Sequence, residues 1–246
     1  LLIRGTSDRL NYTISRDGQI LDVSVPGHDQ WTLTDEYFYD LSMQEPSKIL
    51  PGNIGYIHIG SINWYGNAFV QETMAGLMDT EAIIFDLRYY PFFTPYIISE
   101  FLNPEVVPFA KLTAIDFDYP GSFKLHAISN IGKHGGNPDY YRGKVIILVN
   151  QDSQSAAEYF TMALQSAPDA TVIGSRTAGA DGSMVTISMP GGIMARFTSQ
   201  GVFYPDGKPT QRIGIVPDIR VRPTIEGVRQ GRDELVERAI DFVIED

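Results

Sequence analysis

Two short apolar segments constrain the fold of this chain more than any other feature of its sequence. Residues 82–87 and 145–149 are nearly continuous apolar runs of strand length, and a helical pattern over 155–167 follows the second. Such runs are typical of strands with both faces buried in a parallel sheet that helices cover. The strand–helix–strand order therefore predicts an α/β fold. Because ligands of such folds bind beyond the carboxyl ends of the strands, the residues after Leu87 and Val149 are the first candidates for a functional site.

The first 53 residues have a different pattern. Alternating segments at 11–16 and 19–25 flank the dipeptide Asp17-Gly18, which is typical of a two-residue hairpin turn. An isolated hairpin is marginally stable in water, so we expect it to dock on the main body or to be the end of a small β domain cut upstream. The polar and aromatic stretch that follows is expected to be a connector. The predicted organisation is a hairpin at 1–25, a connector at 26–53 and a core at 54–246.

Charge and composition exclude several classes of function. The chain has 19 Lys and Arg against 30 Asp and Glu, a net charge of −11, so we expect no basic face for nucleic acid. It has no cysteine, which excludes disulfides, thiolate metal sites and a cysteine nucleophile. No apolar run approaches the roughly 18 residues of a membrane span. No two histidines have the spacing of a helical zinc pair, and the Gly-rich segment 177–182 lacks the Lys-Ser/Thr ending of a phosphate-binding loop. We therefore expect neither a metal nor a cofactor.

Ser155 is the candidate nucleophile. It stands at the start of the predicted helix, beyond the strand at 145–149, and two alanines follow it, which lets a substrate backbone come close. The N–H of Ala156 belongs to the first turn of that helix, where it has no intrahelical acceptor and can stabilise an oxyanion. The alternative is structural, because Ser155-Ala-Ala-Glu158 is also a capping box. Taken alone, the four-residue pattern favours capping.

Five segments follow one another in an order that is characteristic of one protein family. They are Gly55–Ile57, Ile84–Arg88, Val149–Glu158, Val172–Gly179 and Gly214–Ile219. On these segments the chain, from about residue 52 to its end, resembles the C-terminal-processing (tail-specific) peptidases and their tricorn-like relatives. The resemblance implies a ClpP/crotonase-like spiral of βαβ units, with residues 1–25 as the last hairpin of a PDZ-like domain. It also implies a serine endopeptidase that cleaves extended or unfolded polypeptides and forms an acyl-enzyme at Ser155. The implied location is the bacterial cell envelope, where the protein would be periplasmic or lipid-anchored.

The resemblance also shows where the catalytic machinery departs from the family pattern. The processing peptidases use a lysine as the general base, and Ala180 stands at that position. The tricorn-like relatives use a histidine that precedes the PDZ domain, oriented by an acid whose position here is Gln211. The base is therefore expected in sequence upstream of this chain, with Gln211 as an acceptor that can still orient an imidazole. We expect these 246 residues alone to be nearly inactive.

The second oxyanion donor is another departure from the family. The Gly-Gly backbone that supplies it in the family is replaced by the aromatic segment 89–93. Pro91 has no amide hydrogen, so the N–H of Tyr90 is the candidate donor, with that of Phe92 as another. The aromatic side chains are expected to belong to the core, or else to line a pocket for an apolar substrate side chain.

The four histidines of the chain are weaker candidates for the base. His58 and His126 lie in strand patterns and are interpreted as structural, whereas His28 and His134 lie in loops. The departures described above keep a second hypothesis open, namely a catalytically silent family member that binds peptides. A histidine upstream of the PDZ-like segment would favour the enzyme. The sequence leaves the oligomeric state open.

Overall fold

The computed structural model describes residues 9–28, 30–91, 95–119 and 121–245. The chain forms two compact units, whose boundary in the sequence lies between Gln44 and Glu45.

The first unit contains a β-hairpin and a helix. Strand β1 (Arg9–Arg16) pairs antiparallel with β2 (Gln19–Pro26), and helix α1 (Gln30–Met43) follows. Asp17 and Gly18 have φ angles of 53° and 78°, because a tight two-residue hairpin of this twist needs positive φ at both central residues. The predicted hairpin is confirmed. The segment predicted as a connector holds α1, and the proposed domain boundaries stay a prediction.

The second unit consists of strands and helices in alternation. Its strands are β3 (Ser47–Leu50), β4 (Ile54–His58), β5 (Ala82–Asp86), β6 (Val107–Ile115), β7 (Phe123–Ile131), β8 (Lys144–Val149), β9 (Ala170–Gly174), β10 (Met184–Met189), β11 (Ile193–Thr198), β12 (Val202–Phe203) and β13 (Ile219–Arg220). Its helices are α2 (Ile59–Ile62), α3 (Gly66–Gly76), α4 (Tyr96–Leu102), α5 (Ala156–Leu164), α6 (Ile225–Arg229) and α7 (Glu234–Ile244).

A six-stranded sheet forms the centre of this unit, in the order β13–β9–β8–β5–β4–β3. Every neighbouring pair is parallel except β3 with β4. The register places Phe85 of β5 beside Ile57 of β4 and Ile147 of β8. The carboxyl ends of these parallel strands therefore meet at one edge of the sheet, where the residues after Leu87 and Val149 lie.

Alternate residues of the central strands face two separate hydrophobic clusters. One cluster contains Ile83 and Phe85 together with buried residues of α3, α4 and α5. The other contains Ile84 and Ile146 together with Leu235 of α7. Both faces of the sheet are thus buried under helices, which explains the continuous apolar runs in the sequence. The predicted mixed α/β fold with a central sheet is confirmed, and the spiral arrangement of its βαβ units stays a prediction.

Two antiparallel elements accompany the central sheet. Strands β12, β6 and β7 form a three-stranded sheet, and β10 pairs with β11 in a hairpin. They correspond to the alternating patterns of the sequence, and the predicted loop between β6 and β7 includes Pro120, which lies outside the described residues. No helix in the described part of the chain is long and apolar enough to cross a membrane.

Candidate active site

The turn between β8 and α5 holds Ser155 in a conformation that serine rarely adopts. Its φ is 53° and its ψ is −117°, whereas residues with a Cβ mostly avoid positive φ because the Cβ crowds the backbone. The buried Ser153 fixes the turn, since its Oγ donates to the carbonyl of Leu87, beyond the end of β5, at 2.8 Å. Backbone strain persists mainly at functional sites, and a serine on a strained strand-to-helix turn is one known setting for a nucleophile.

Ser155 is also the N-cap residue of α5, as the capping-box pattern predicts. The capping box is present, and Glu158 Oε2 accepts the N–H of Ser155 at 3.2 Å. An ordinary N-cap residue has an extended backbone, so capping does not require the positive φ of Ser155. The backbone conformation is therefore the observation that distinguishes this serine from a simple cap. Ala156 begins the helix directly after it, so its N–H is one of the first-turn amides without an intrahelical acceptor.

Glu158 joins the Ser155 turn to the Gly-rich loop. Its buried carboxylate accepts the Thr177 hydroxyl and the Gly179 N–H through Oε1, at 2.5 and 2.8 Å. Its Oε2 accepts the Ala180 N–H at 2.8 Å, in addition to that of Ser155. One carboxylate oxygen thus bridges the amides of Ser155 and Ala180, the position at which the processing peptidases carry their lysine. The structure brings these two positions together.

Gln211 holds the far end of the same loop. Its Nε2 donates to the carbonyl oxygens of Asp181 and Gln200, at 2.8 and 2.7 Å. Its Oε1 accepts the N–H of Val202 at 3.4 Å. An amide oxygen has two lone pairs, so one remains that could accept a hydrogen bond from an imidazole. The orienting role of Gln211 stays a prediction.

A cleft of about 620 Å³ opens beside the Gly-rich loop. Its lining residues include the loop residues 179–181, Phe123, Phe203, Gln211 and Arg212. This volume lies within the range of small-ligand pockets, which is about 300–1,000 Å³. The loop amides that hold Glu158 therefore form one wall of the cleft, next to the turn that carries Ser155.

Asp181 is the one strongly perturbed carboxyl among the residues that line this cleft. Its residue surface is 4% exposed, and its Oδ1 accepts the N–H of Gly182 at 2.7 Å. Its Oδ2 is buried and has no hydrogen-bond partner among the described residues. Burial raises the pKa of Asp181 to about 7. The hydrogen bond from Gly182 lowers this pKa, and the negative charge of Glu158 raises it. Sequence reasoning missed this residue, for which the only signal was an acidic side chain directly after Ala180.

The aromatic segment proposed for the second oxyanion donor is only partly described. Tyr90 lies beyond the carboxyl end of β5 and is 36% exposed, and Pro91 is buried. Phe92 and Phe93 lie outside the described residues. The assignment of the Tyr90 N–H as an oxyanion donor stays a prediction.

His58 is a buried residue at the end of β4. Its Nδ1 accepts the N–H of Ser61 at 3.0 Å, and its ring lies 4.3 Å from that of Tyr89, centroid to centroid. Burial lowers its pKa, and its Nε2 has no partner in the part of the chain that the structure describes. The interpretation of His58 as a structural residue stays a prediction. His126 lies on β7, and His134 lies between β7 and β8.

A buried ion pair stabilises the same edge of the sheet. Asp86 is fully buried, accepts the Tyr56 hydroxyl at 2.7 Å and receives two hydrogen bonds from the Arg88 guanidinium, at 2.6 and 2.9 Å. Arg88 also donates to Asp233, the N-cap residue of α7, at 2.7 and 2.8 Å. Burial acts to raise the pKa of Asp86, but Arg88 outweighs it and the pKa is lowered. This network binds the start of α7 to the end of β5.

The comparison with family models assigns the region that contains this site. Residues 112–221 match the model described as Peptidase family S41. This match covers 110 of the 246 residues, and the matched region is similar to a peptidase family S41 domain. The matched region includes Ser155, Ala180 and Gln211, and the resemblance to the C-terminal-processing and tricorn-like peptidases is confirmed.

A curated protein and several solved structures are similar to this chain. The "Probable CtpA-like serine protease" of Staphylococcus haemolyticus is 37% identical over 78 residues, which are 32% of this chain and 16% of that protein. The chain therefore spans only a small part of the curated relative that it matches.

The similar structures include mature CPAF, the photosystem II D1 C-terminal processing protease and the tricorn protease. Mature CPAF has a TM-score of 0.66 at 16% identity, with 99% of this chain and 69% of that one covered. The D1 processing protease has a TM-score of 0.55 at 16% identity, with 86% and 55% covered. The tricorn protease has a TM-score of 0.53 at 19% identity, with 94% and 21% covered. At these identities the comparisons establish the fold.

Proposed function

We propose that this chain is the core of a serine endopeptidase that cleaves extended or unfolded polypeptides, with Ser155 as the nucleophile. The observation that carries the proposal is the positive φ of Ser155 on the turn between β8 and α5. The match to the S41 family model supports a peptidase, and the matched region contains this serine. The Glu158 carboxylate, which binds both the Ser155 turn and the Gly-rich loop, keeps the strained turn in place.

In the proposed reaction the Ser155 Oγ attacks the carbonyl carbon of the scissile peptide bond, and a general base takes its proton. The N–H of Ala156 at the start of α5 stabilises the negative charge on the tetrahedral intermediate, and the N–H of Tyr90 is the proposed second donor. The C–N bond then breaks, the leaving amine takes the proton, and water hydrolyses the acyl-enzyme. None of these steps requires a cofactor.

The general base is proposed to be a histidine from sequence upstream of this chain. Two observations support this assignment. The lysine position holds Ala180, whose backbone lies beside Ser155 but whose side chain cannot accept a proton. Gln211 stands near the same loop with a free lone pair on its Oε1. The ClpP/crotonase-like spiral, the PDZ-like origin of the first hairpin and the cell-envelope location belong to the same proposal.

Hydrolysis of unfolded casein by the protein, extended upstream of Leu1, tests the proposed function. We expect turnover that Ser155→Ala abolishes, and little or no turnover by the 246-residue chain alone. Failure of the extended protein to cleave any unfolded polypeptide would favour the second candidate, a silent peptide-binding member. The absence of a basic side chain at Ala180 is the observation that favours this second candidate.

A gain-of-function variant tests the site within the chain itself. Ala180→Lys would place an amine next to Ser155, because the two backbone amides share one oxygen of Glu158. We expect this variant to gain peptidase activity that Ser155→Ala removes. Ala180→Met, of similar length and without charge, is the matched control and should gain none.

A further inference from the structure

We propose that the cleft beside the Gly-rich loop binds a cationic side chain of the substrate polypeptide, lysine or arginine, with Asp181 as its counter-charge. The inference rests on the proposed function and adds the class of substrate residue that the site selects. It concerns a subsite next to Ser155 and not the bond-breaking step.

The Asp181 carboxylate is the first feature of the cleft that favours a cationic ligand. Its Oδ2 is buried and has no hydrogen-bond partner among the described residues, although the residue lines a cleft. A buried polar atom normally has a partner, and one that lacks it in the wall of a cleft can receive a donor from a ligand. An ammonium or guanidinium group would donate to this oxygen and neutralise its charge.

The charges around Asp181 also favour a cationic ligand. Glu158 on α5 is also buried, and the four donors that it accepts are neutral, three backbone amides and the Thr177 hydroxyl. Within the described residues, neither Glu158 nor Asp181 takes part in a salt bridge. Two neighbouring carboxyls without a cation favour the entry of a positive group.

The shape and chemistry of the cleft fit a long cationic side chain. Its volume of about 620 Å³ accommodates a long side chain, and the rings of Phe123 and Phe203 can cover the methylene stem of a lysine or arginine. Aromatic faces also attract cations. A metal ion is a poorer occupant, because no cluster of three His, Asp or Glu residues that could hold one is found in the described ranges.

Other ionisable groups near Asp181 influence how the binding of a cationic side chain depends on pH. They are Glu158 and Tyr159 on α5, and Arg212, whose residue lines the cleft and is exposed. Arg212 opposes a bound cation, so its removal should strengthen binding. Because the pKa of Asp181 is raised to about 7, ionised Asp181 becomes the main form only above that pH. Affinity for a cation should therefore rise between pH 5.5 and pH 8, by about thirtyfold for a single carboxyl with this pKa.

The test is an NMR titration of the Ser155→Ala chain, which binds without chemistry. The probes are Nα-acetyl-lysine methylamide and Nα-acetyl-arginine methylamide, with the neutral norleucine analogue as control. We expect saturable shifts of the Gly179, Ala180 and Gly182 amides with the cationic probes alone, and stronger binding at pH 8 than at pH 5.5. Equal binding of the norleucine probe, or affinity that does not change with pH, would overturn the proposal.

Two variants complete the test. Asp181→Asn retains the Oδ1 acceptor for the Gly182 N–H and should weaken binding of both cationic probes at least tenfold. Phe123→Ala changes a half-exposed wall residue and should weaken the binding without affecting the fold. Unchanged affinity in both variants would refute the subsite. Ser155 reactivity is measured separately, so a failure here is distinguishable from a failure of the proposed peptidase.

Discussion

Replacing Asp181 by asparagine should remove a specific pH dependence from the stability of the protein. The carboxyl is 4% exposed, and burial together with the charge of Glu158 raises its pKa from 3.8 to about 7. A raised pKa means that the folded state binds a proton more tightly than the unfolded state does. Stability that is present below pH 3.8 is therefore lost progressively until the pH exceeds about 7.

The magnitude follows from the two pKa values. The difference between 3.8 and about 7 corresponds to about 4 kcal/mol of unfolding free energy in total. Most of that change falls between pH 4 and pH 7, and the part between pH 5 and pH 8 is about 2.5 kcal/mol. Asparagine cannot ionise, so Asp181→Asn should not show this loss of unfolding free energy between pH 5 and pH 8. Its unpaired amide adds a cost of about 1–3 kcal/mol that does not depend on pH.

The assay is urea unfolding of the wild-type chain and of Asp181→Asn at several pH values between 5 and 8. The unfolding free energy of the variant relative to that of the wild type should rise by about 2.5 kcal/mol across this range. Asp152→Asn, at an exposed turn position, is the matched control and should follow the wild type. Parallel pH curves for the wild type and Asp181→Asn would refute the electrostatic reasoning.

Three further substitutions test the packing around the site. Glu158→Gln replaces one acceptor oxygen by an amide group and should cost about 3 kcal/mol in urea unfolding, with faster hydrogen exchange at the Gly-rich loop. Ser155→Gly should stabilise the chain by about 1 kcal/mol, because glycine adopts positive φ without strain. If Ser155 were only an unstrained helix cap, the same substitution would destabilise the chain by a few tenths of a kcal/mol. Gly174→Ala should lower the free energy of unfolding by about 3 kcal/mol or more, because the added Cβ would collide with the Val149 carbonyl and because the φ of Gly174 is 138°. A loss of less than about 1 kcal/mol would contradict the described register of β8 and β9.

Periodicity was sufficient to predict the central strands and the longer helices of the second unit, whereas helix α1 of the first unit was missed in a segment interpreted as a connector. Strands with two buried faces leave long apolar runs, and those at β5 and β8 were found within a residue of their observed ends. Helix α5 was predicted to extend to residue 167 but ends at Leu164, because the N–H groups of Ser166 and Ala167 make i→i−3 bonds in place of i→i−4 bonds. Short elements were missed, among them β3 and β13, whose two to four residues carry no periodicity.

The candidate site was predictable only where a local motif marks it. Ser155 and Ala156 follow a strand and open a helix, so the sequence alone placed them. The position of Asp181 depends on contacts from residues 30 positions away in the chain, such as the hydrogen bond from Gln211, and no local pattern signals them. The role of Glu158 was predicted as half of a capping box, but its bonds to the Gly-rich loop, with Gly179 and Ala180, required the structure.

The reactivity of Ser155 towards a fluorophosphonate probe is the measurement that tests the central claim most directly. The probe is applied to the protein extended upstream of Leu1 and to the 246-residue chain, each with Ser155→Ala as a control, and the labelled peptide is located by mass spectrometry. We predict labelling of Ser155 in the extended protein, loss of this labelling in Ser155→Ala and no labelling of the chain alone. Absence of labelling in both proteins, or labelling at another residue, would contradict the assignment of Ser155 as an activated nucleophile.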